Sequence, residues 1–139
     1  MSAQRAVDVV VGLIGGSSGR WLVNCRPPGA PLAGFWEFPG GKREPGEAPL
    51  AALKRELDEE LGLEVLEAEP VFVLEHDYPD KRVRLDVWHV RRYRGEARAR
   101  EGQPLRWVTA AECRDLPLLP ADGPIVERLR SLAAPTEVD

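Results

Sequence analysis

The chain has 139 residues, 43% of them hydrophobic and 30% charged, with a formal net charge of −4. That length and balance fit one globular domain spanning residues 1–139 and exclude a disordered polymer. No apolar run approaches the roughly 18 residues of a membrane span, and the negative charge argues against stable nucleic-acid binding.

In chain order, Val7 to Ile14 is a β-branched run that predicts a strand, ending at the turn signal Gly15-Gly16-Ser17-Ser18-Gly19. Before it, Met1-Ser-Ala-Gln-Arg5 lacks the pattern of a secretory leader, so a cytoplasmic location is expected. Trp21 to Asn24 restarts the strand pattern, and Arg26-Pro-Pro-Gly-Ala-Pro-Leu-Ala-Gly34 must be a loop. Next comes Phe35-Trp36-Glu37-Phe38-Pro39-Gly40, and then a helix is predicted from about Ala48 to Leu61. Pro49 falls in its first turn, where a missing N–H costs little, and Gly62 suits the left-handed position past its end.

Val71 to Glu75 and Val83 to Val90 read as strands joined across Tyr78-Pro79-Asp80-Lys81. Val83, Leu85 and Val87 alternate with Arg84, Asp86 and Trp88, the period of a half-buried strand. Leu105 to Val108 is a further short strand, and Thr109-Ala-Ala-Glu112 is a capping box opening a short helix. A last helix is expected from Asp122 to about Leu132, followed by a flexible tail over about residues 134–139. This order of elements predicts an α/β sandwich with helices on both faces of a mixed sheet. Cys25 and Cys113 are too few for a disulfide scaffold and lack metal-type spacing, so reduced thiols are expected.

The segment Gly41 to Leu63 carries the chemistry. It reads G-x5-E-x7-R-E-U-x-E-E-x-G-U, with U aliphatic: Gly41, Glu47, Arg55, Glu56, Leu57, Glu59, Glu60, Gly62 and Leu63. At about 100° per residue, Leu50, Leu53, Leu57 and Leu61 form a stripe roughly 80° wide. Glu56, Glu59 and Glu60 form a second stripe centred about 110° around from the first, so they flank the core face and can line a cleft. Like charges at this spacing repel by a few tenths of a kcal/mol per pair. A hard divalent cation, Mg²⁺ or Mn²⁺, reverses that sign and can join carboxylates to a polyphosphate. A carbonyl of the Gly40-Gly41 loop can complete such a shell, and Arg55 can reach Glu47 to hold the cluster's geometry.

These residues resemble the Nudix hydrolases. Gly34 to Lys42, Glu101-Gly-Gln-Pro104 and Leu119 to Val126 extend the resemblance to the MutT branch, the 8-oxo-dGTP diphosphatases. The resemblance implies an α/β/α sandwich with a mixed β-sheet. It also implies Mg²⁺-dependent hydrolysis of a nucleoside triphosphate, most simply 8-oxo-dGTP, to the monophosphate and pyrophosphate by a monomeric enzyme of nucleotide-pool sanitation. It makes Gly40, Glu56, Glu59, Glu60 and Glu101 metal ligands, with Glu56 also the candidate base. Arg55 and Glu47 belong to the same catalytic set. Arg26, Phe38, Lys42 and Asp122 become substrate-binding residues. A non-catalytic nucleotide-binding module of this type would be expected to lack box glutamates, and none is missing here.

One position departs from the branch. Asp122 stands where the bacterial 8-oxo-dGTP enzymes typically present asparagine. An ionised aspartate only accepts hydrogen bonds, whereas a buried, protonated one also donates. Asp122 equally suits a helix N-cap, with Pro124 in the first turn. A pyrophosphohydrolase for CTP or a modified dCTP is therefore the alternative reading.

Overall fold

The computed structural model describes residues 6–16, 19–132 and 137–138. Its strands are β1 (Ala6–Ile14), β2 (Trp21–Cys25), β3 (Trp36–Glu37), β4 (Gly40–Lys42), β5 (Glu64–Tyr78), β6 (Lys81–Arg94), β7 (Leu105–Val108) and β8 (Glu137–Val138). The helices are α1 (Pro49–Leu61), α2 (Ala110–Cys113) and α3 (Gly123–Leu129), the last preceded by a 3-10 turn at Pro120–Asp122. The main sheet runs β4-β1-β6-β5, with β8 also paired to β6, and a second sheet runs β3-β2-β7. Within the main sheet β1 and β6 are parallel, while β4 and β5 are antiparallel to their neighbours. The sheet is mixed, as expected.

Alternation in the central strands divides the core in two. Val11, Leu13, Val83, Leu85 and Val87 face one side, where Cys113, Ile125 and Leu129 of the α2–α3 region pack on them. Val10, Ile14 and Val90 face the other side, against Ala52, Leu53, Leu57 and Leu61 of α1. Helices therefore cover both faces of the sheet. Where α1 crosses β1, a Cβ on Gly12 would come within 3.0 Å of the Leu57 side chain and 3.2 Å of Leu53. This close seating fixes the height of the carboxylate helix over the sheet. Leu57 is fully buried, so Leu57→Ala should cost about 2–5 kcal/mol. Denaturant unfolding measures that loss, and a cost within error of zero would contradict the packing.

The ends of α1 follow local chemistry. Pro49 occupies the first turn, and Gly62 is left-handed at φ 71°, its N–H donating to the Asp58 carbonyl. The capping box at α2 forms in both directions. The Glu112 N–H donates to the Thr109 hydroxyl, and the Thr109 N–H donates to Glu112 Oε1.

Several boundaries differ from expectation. β5 begins at Glu64 rather than Val71, because Glu64, Glu67, Glu69 and Pro70 mask its first half. A proline without an N–H is tolerated there, on an edge strand with register shifts between Val65 and Phe72. β3 and β4 span two and three residues and leave no periodic trace. The last helix ends at Leu129. Ser17 and Ser18 of the expected turn lie outside the described residues. Of the expected tail, Glu137–Val138 pairs in parallel with Arg92–Tyr93, and residues 134–136 and 139 are not among the described residues.

Candidate active site

The carboxylate helix is organised around one guanidinium. Arg55 donates through Nε to Glu47 Oε2 at 2.8 Å and through Nη2 to Glu47 Oε1 at 2.9 Å, a bidentate pair. The same Nη2 reaches the Lys42 carbonyl at 3.0 Å, and Nη1 donates to Glu56 Oε1 at 3.0 Å. Glu47 is held at about 2, first by Arg55 and then by the Glu44 N–H. Arg55 is in turn pushed upward, chiefly by Glu47, and stays charged. Glu47 and Arg55 thus form a fixed strut that orients Glu56.

Glu56 Oε2 faces Gly41, and a Cβ at Gly41 would collide with the Glu56 carboxylate. Only glycine allows that approach. Burial raises the Glu56 pKa against the pull of Arg55, and the charges of Glu59 and Glu101 raise it further. Glu60, one helical turn on, is pushed up to about 8 by burial and by the charges of Glu56, Glu101 and Glu37. The Gly40 N–H, donating to the Glu60 carboxylate, pulls the other way.

The three glutamates are not equivalent. The Glu56 side chain is 14% exposed and that of Glu59 is 58% exposed. Glu59 extends to Arg55 Nη1 at 3.4 Å. Around the helix Glu59 lies farther than Glu56 from the leucine stripe that packs on the sheet, and is the more exposed for it. Among the described residues no three His, Cys, Asp or Glu side chains converge closely enough to hold a metal as they stand. Glu56, Glu60 and Glu101 nonetheless feel one another's charge. Hard oxygen donors whose negative charges destabilise one another fit a hard divalent cation.

A cavity of about 280 Å³ opens beside this cluster, lined by Glu60, Gly40, Gly41 and Lys42 at one side. Val9, Val11, Val83 and Leu85 form its apolar floor, and Arg26, Leu32, Phe38 and Asp122 line the remainder. Polar and apolar surfaces therefore share one cleft. Of the sequence-predicted residues, Glu47, Arg55, Glu56, Glu59 and Glu101 stand outside this lining, the first four on or beside α1 and Glu101 in the loop before β7.

Asp122 is 4% exposed. Its side chain makes no cap bond to α3. It accepts instead from the Phe38 N–H, and among the described residues its Oδ2 meets no hydrogen-bond partner. Burial first, and then the charge of Glu37, pushes this carboxyl up to about 8. At neutral pH it is protonated, and so both donates and accepts.

Arg26 is tied down. Nε donates to the Pro31 carbonyl at 2.6 Å, and Nη1 donates to both oxygens of Glu37 at 3.2 Å. It braces the 27–34 loop and Glu37 while lining the cavity. The Phe38 ring is core, 3% exposed, and its backbone is the part that meets Asp122. Three further polar residues line the cavity without having been expected there: Glu37, Tyr78 and Lys81. The Tyr78 hydroxyl accepts from the Ala121 N–H at 3.3 Å, steadying the turn that carries Asp122. Position at the tip of the β5–β6 hairpin was the only available signal for Tyr78 and Lys81. Glu37 gave none beyond its neighbours.

The NUDIX domain model matches residues 10–128. The chain is 38% identical to the CTP pyrophosphohydrolase of Escherichia coli, over 97% of this chain and 99% of that protein. It is 34% identical to the 8-oxo-dGTP diphosphatase of the same organism, over 92% of this chain and 99% of that protein. Among solved structures, it superposes on the E. coli ORF135 protein with a TM-score of 0.80 at 38% identity, covering 94% of this chain and 93% of that one. The MutT Nudix hydrolase of Burkholderia pseudomallei gives 0.77 at 28% identity, covering 89% and 98%. The α/β/α layering, the glutamate helix over a glycine loop and these matches along most of its length have one reading: the chain belongs to the Nudix family and is a Nudix hydrolase.

Proposed function

We propose that this enzyme converts a nucleoside triphosphate to its monophosphate and pyrophosphate with Mg²⁺, and that 8-oxo-dGTP is the preferred substrate. It does so as a cytoplasmic monomer without stable nucleic-acid binding. Nudix hydrolases generally need a divalent metal, and the hard oxygen donors of this helix suit Mg²⁺, with Mn²⁺ as a substitute. Glu56, Glu59, Glu60, Glu101 and the Gly40 carbonyl are the proposed ligands. Bound there, the cation supplies Lewis acidity to the phosphate oxygens.

The chain's own residues do the rest. Arg55, braced by Glu47, occupies Glu56 Oε1 and leaves Oε2 to take a proton from the water that attacks phosphorus in line. Lys42 offers its ammonium to the phosphates from the cavity rim. Arg26 braces the base side, and the Phe38 main chain holds Asp122.

The observation that carries the base assignment is the buried, unpartnered Oδ2 of a carboxyl that burial pushes up to about 8. A neutral carboxyl offers one donor and one acceptor, as an asparagine amide does, and so matches the O6/N7–H edge of 8-oxoguanine. The same pair also fits the N3/N4–H₂ edge of cytosine. That fit, with the 38% identity to a CTP pyrophosphohydrolase, makes CTP or a modified dCTP the second reading. A panel of 8-oxo-dGTP, dGTP, CTP, dCTP and 5-methyl-dCTP, compared by kcat/KM with Mg²⁺, should place 8-oxo-dGTP first. A cytidine nucleotide ranking first would replace that reading with the second.

A further inference from the structure

Gln103 is 5% exposed between exposed neighbours, and its amide is used at both ends. Nε2 donates to the Glu60 carbonyl at 3.1 Å, and Oε1 accepts the Glu101 N–H at 3.0 Å. One side chain therefore joins the backbone of Glu60, on the last turn of α1, to the backbone of Glu101, 41 positions further along the chain. A helix ends with unpaired carbonyls, and the 98–103 loop takes several of them here. The Arg98 N–H donates to the Leu61 carbonyl, the Arg100 N–H to the Glu60 carbonyl, and Arg100 Nη1 to the Asp58 carbonyl at 2.8 Å. Arg98 and Arg100 thus dock the loop as a whole, whereas Gln103 fixes the particular residue whose charge reaches Glu56 and Glu60.

Resting on the reading of Glu60 and Glu101 as ligands of the divalent cation, we infer that Gln103 is a positioning residue that sets the Glu101 carboxylate against the glutamate helix. The role needs a donor and an acceptor on one long, planar group. Glutamate would place a second acceptor against the Glu60 carbonyl, and asparagine is one methylene short of spanning the gap. The docking of the loop does not depend on Gln103, because the Arg98 and Arg100 bonds remain without it. Loss of the amide therefore frees Glu101 while leaving the loop attached.

The test is Mn²⁺ binding to the intact protein without nucleotide, read by electron spin resonance of the free ion. Gln103→Met, which fills the same space without the amide, is compared with Glu101→Gln and with the double variant, and thermal melts accompany each. Outer-shell partners of metal ligands typically contribute 10–100-fold to metal affinity. We expect Gln103→Met to weaken Mn²⁺ binding by about tenfold or more, with little further loss in the double variant beyond Glu101→Gln. Wild-type Mn²⁺ affinity in Gln103→Met, beside a loss in Glu101→Gln, overturns the role of Gln103 and leaves the ligand reading standing. Unchanged affinity in Glu101→Gln overturns the ligand reading of Glu101, and the proposal with it. If Gln103→Met does not fold, Gln103→Glu is measured in the same way and decides by the same criteria. Fully additive losses in the double variant also overturn the proposal, since they mean that Gln103 acts on something other than Glu101.

Discussion

Glu56→Gln lowers kcat by about 10²–10⁴-fold or more, the range of a lost general base, while the protein stays folded. The substitution keeps the shape of the side chain and an oxygen able to accept from Arg55 Nη1, so the Glu47–Arg55 strut is undisturbed. What disappears is one negative charge and the proposed proton acceptor. Removing a charge that burial and its neighbours disfavour gives no reason for unfolding. Glu59→Gln should also abolish turnover, and because that side chain is largely exposed its melting temperature should move even less. Steady-state rates at saturating Mg²⁺, with circular-dichroism melts on the same preparations, measure both effects. Near-normal kcat in either variant would sink the assignment of that residue.

The second large effect concerns Asp122 and is a change of selectivity with pH. Its carboxyl, pushed up to about 8, is neutral in the free enzyme at pH 7 and loses its donor as the pH rises through that value. Binding of a base that needs the donor is therefore complete on the acid side and declines above about 8. Asp122→Asn presents the same donor and acceptor at every pH, so kcat/KM for the preferred nucleotide should lose this alkaline limb. Asp122→Ala should lower kcat/KM on the preferred base by about 5–150-fold, as a removed buried hydrogen-bonding group costs roughly 1–3 kcal/mol. Poor nucleotides should change less. An equal loss on every nucleotide would return Asp122 to a purely structural role.

The sign for folding follows from the same shift. A carboxyl whose folded pKa lies above its unfolded value of 3.8 stabilises the native state most at low pH, and the contribution is lost as the pH rises from there through about 8. Asp122→Asn should accordingly gain stability relative to the parent as the pH rises from 3.8 to about 8, and keep that gain above it. A parallel pH dependence of the two melting temperatures would refute that.

Local chemistry made much of this molecule legible in advance. The α1 helix, its proline start, its glycine stop and the Thr109 capping box depend on residues within a few positions of one another, and each forms as the sequence predicts. The period-2 pattern of β6 likewise reports its own burial. β3 and β4 were illegible because two or three residues cannot show a period, and the start of β5 was hidden by polar residues tolerated on an edge. In the site, the Glu47–Arg55 pairing could be read from helical spacing. The unequal exposure of Glu56 and Glu59 follows the same spacing, because Glu59 lies farther around the helix from the leucine stripe.

By itself the sequence determined the family, the reaction chemistry it implies and the helix that carries the carboxylates, since the motif is contiguous and a helix converts spacing directly into a face. Tertiary structure alone decided what the separated residues do. Asp122 reads locally as a helix cap, yet the Phe38 N–H draws its side chain away from α3, and burial leaves it neutral with one oxygen free beside the cavity. Arg26 reads as a loop cation, yet Glu37 and the Pro31 carbonyl hold it as a brace. Gln103 carries no signal until folding brings Glu60 and Glu101 to its two ends. Protonation, pairing and reach all depend on neighbours distant in the chain, which no local pattern encodes.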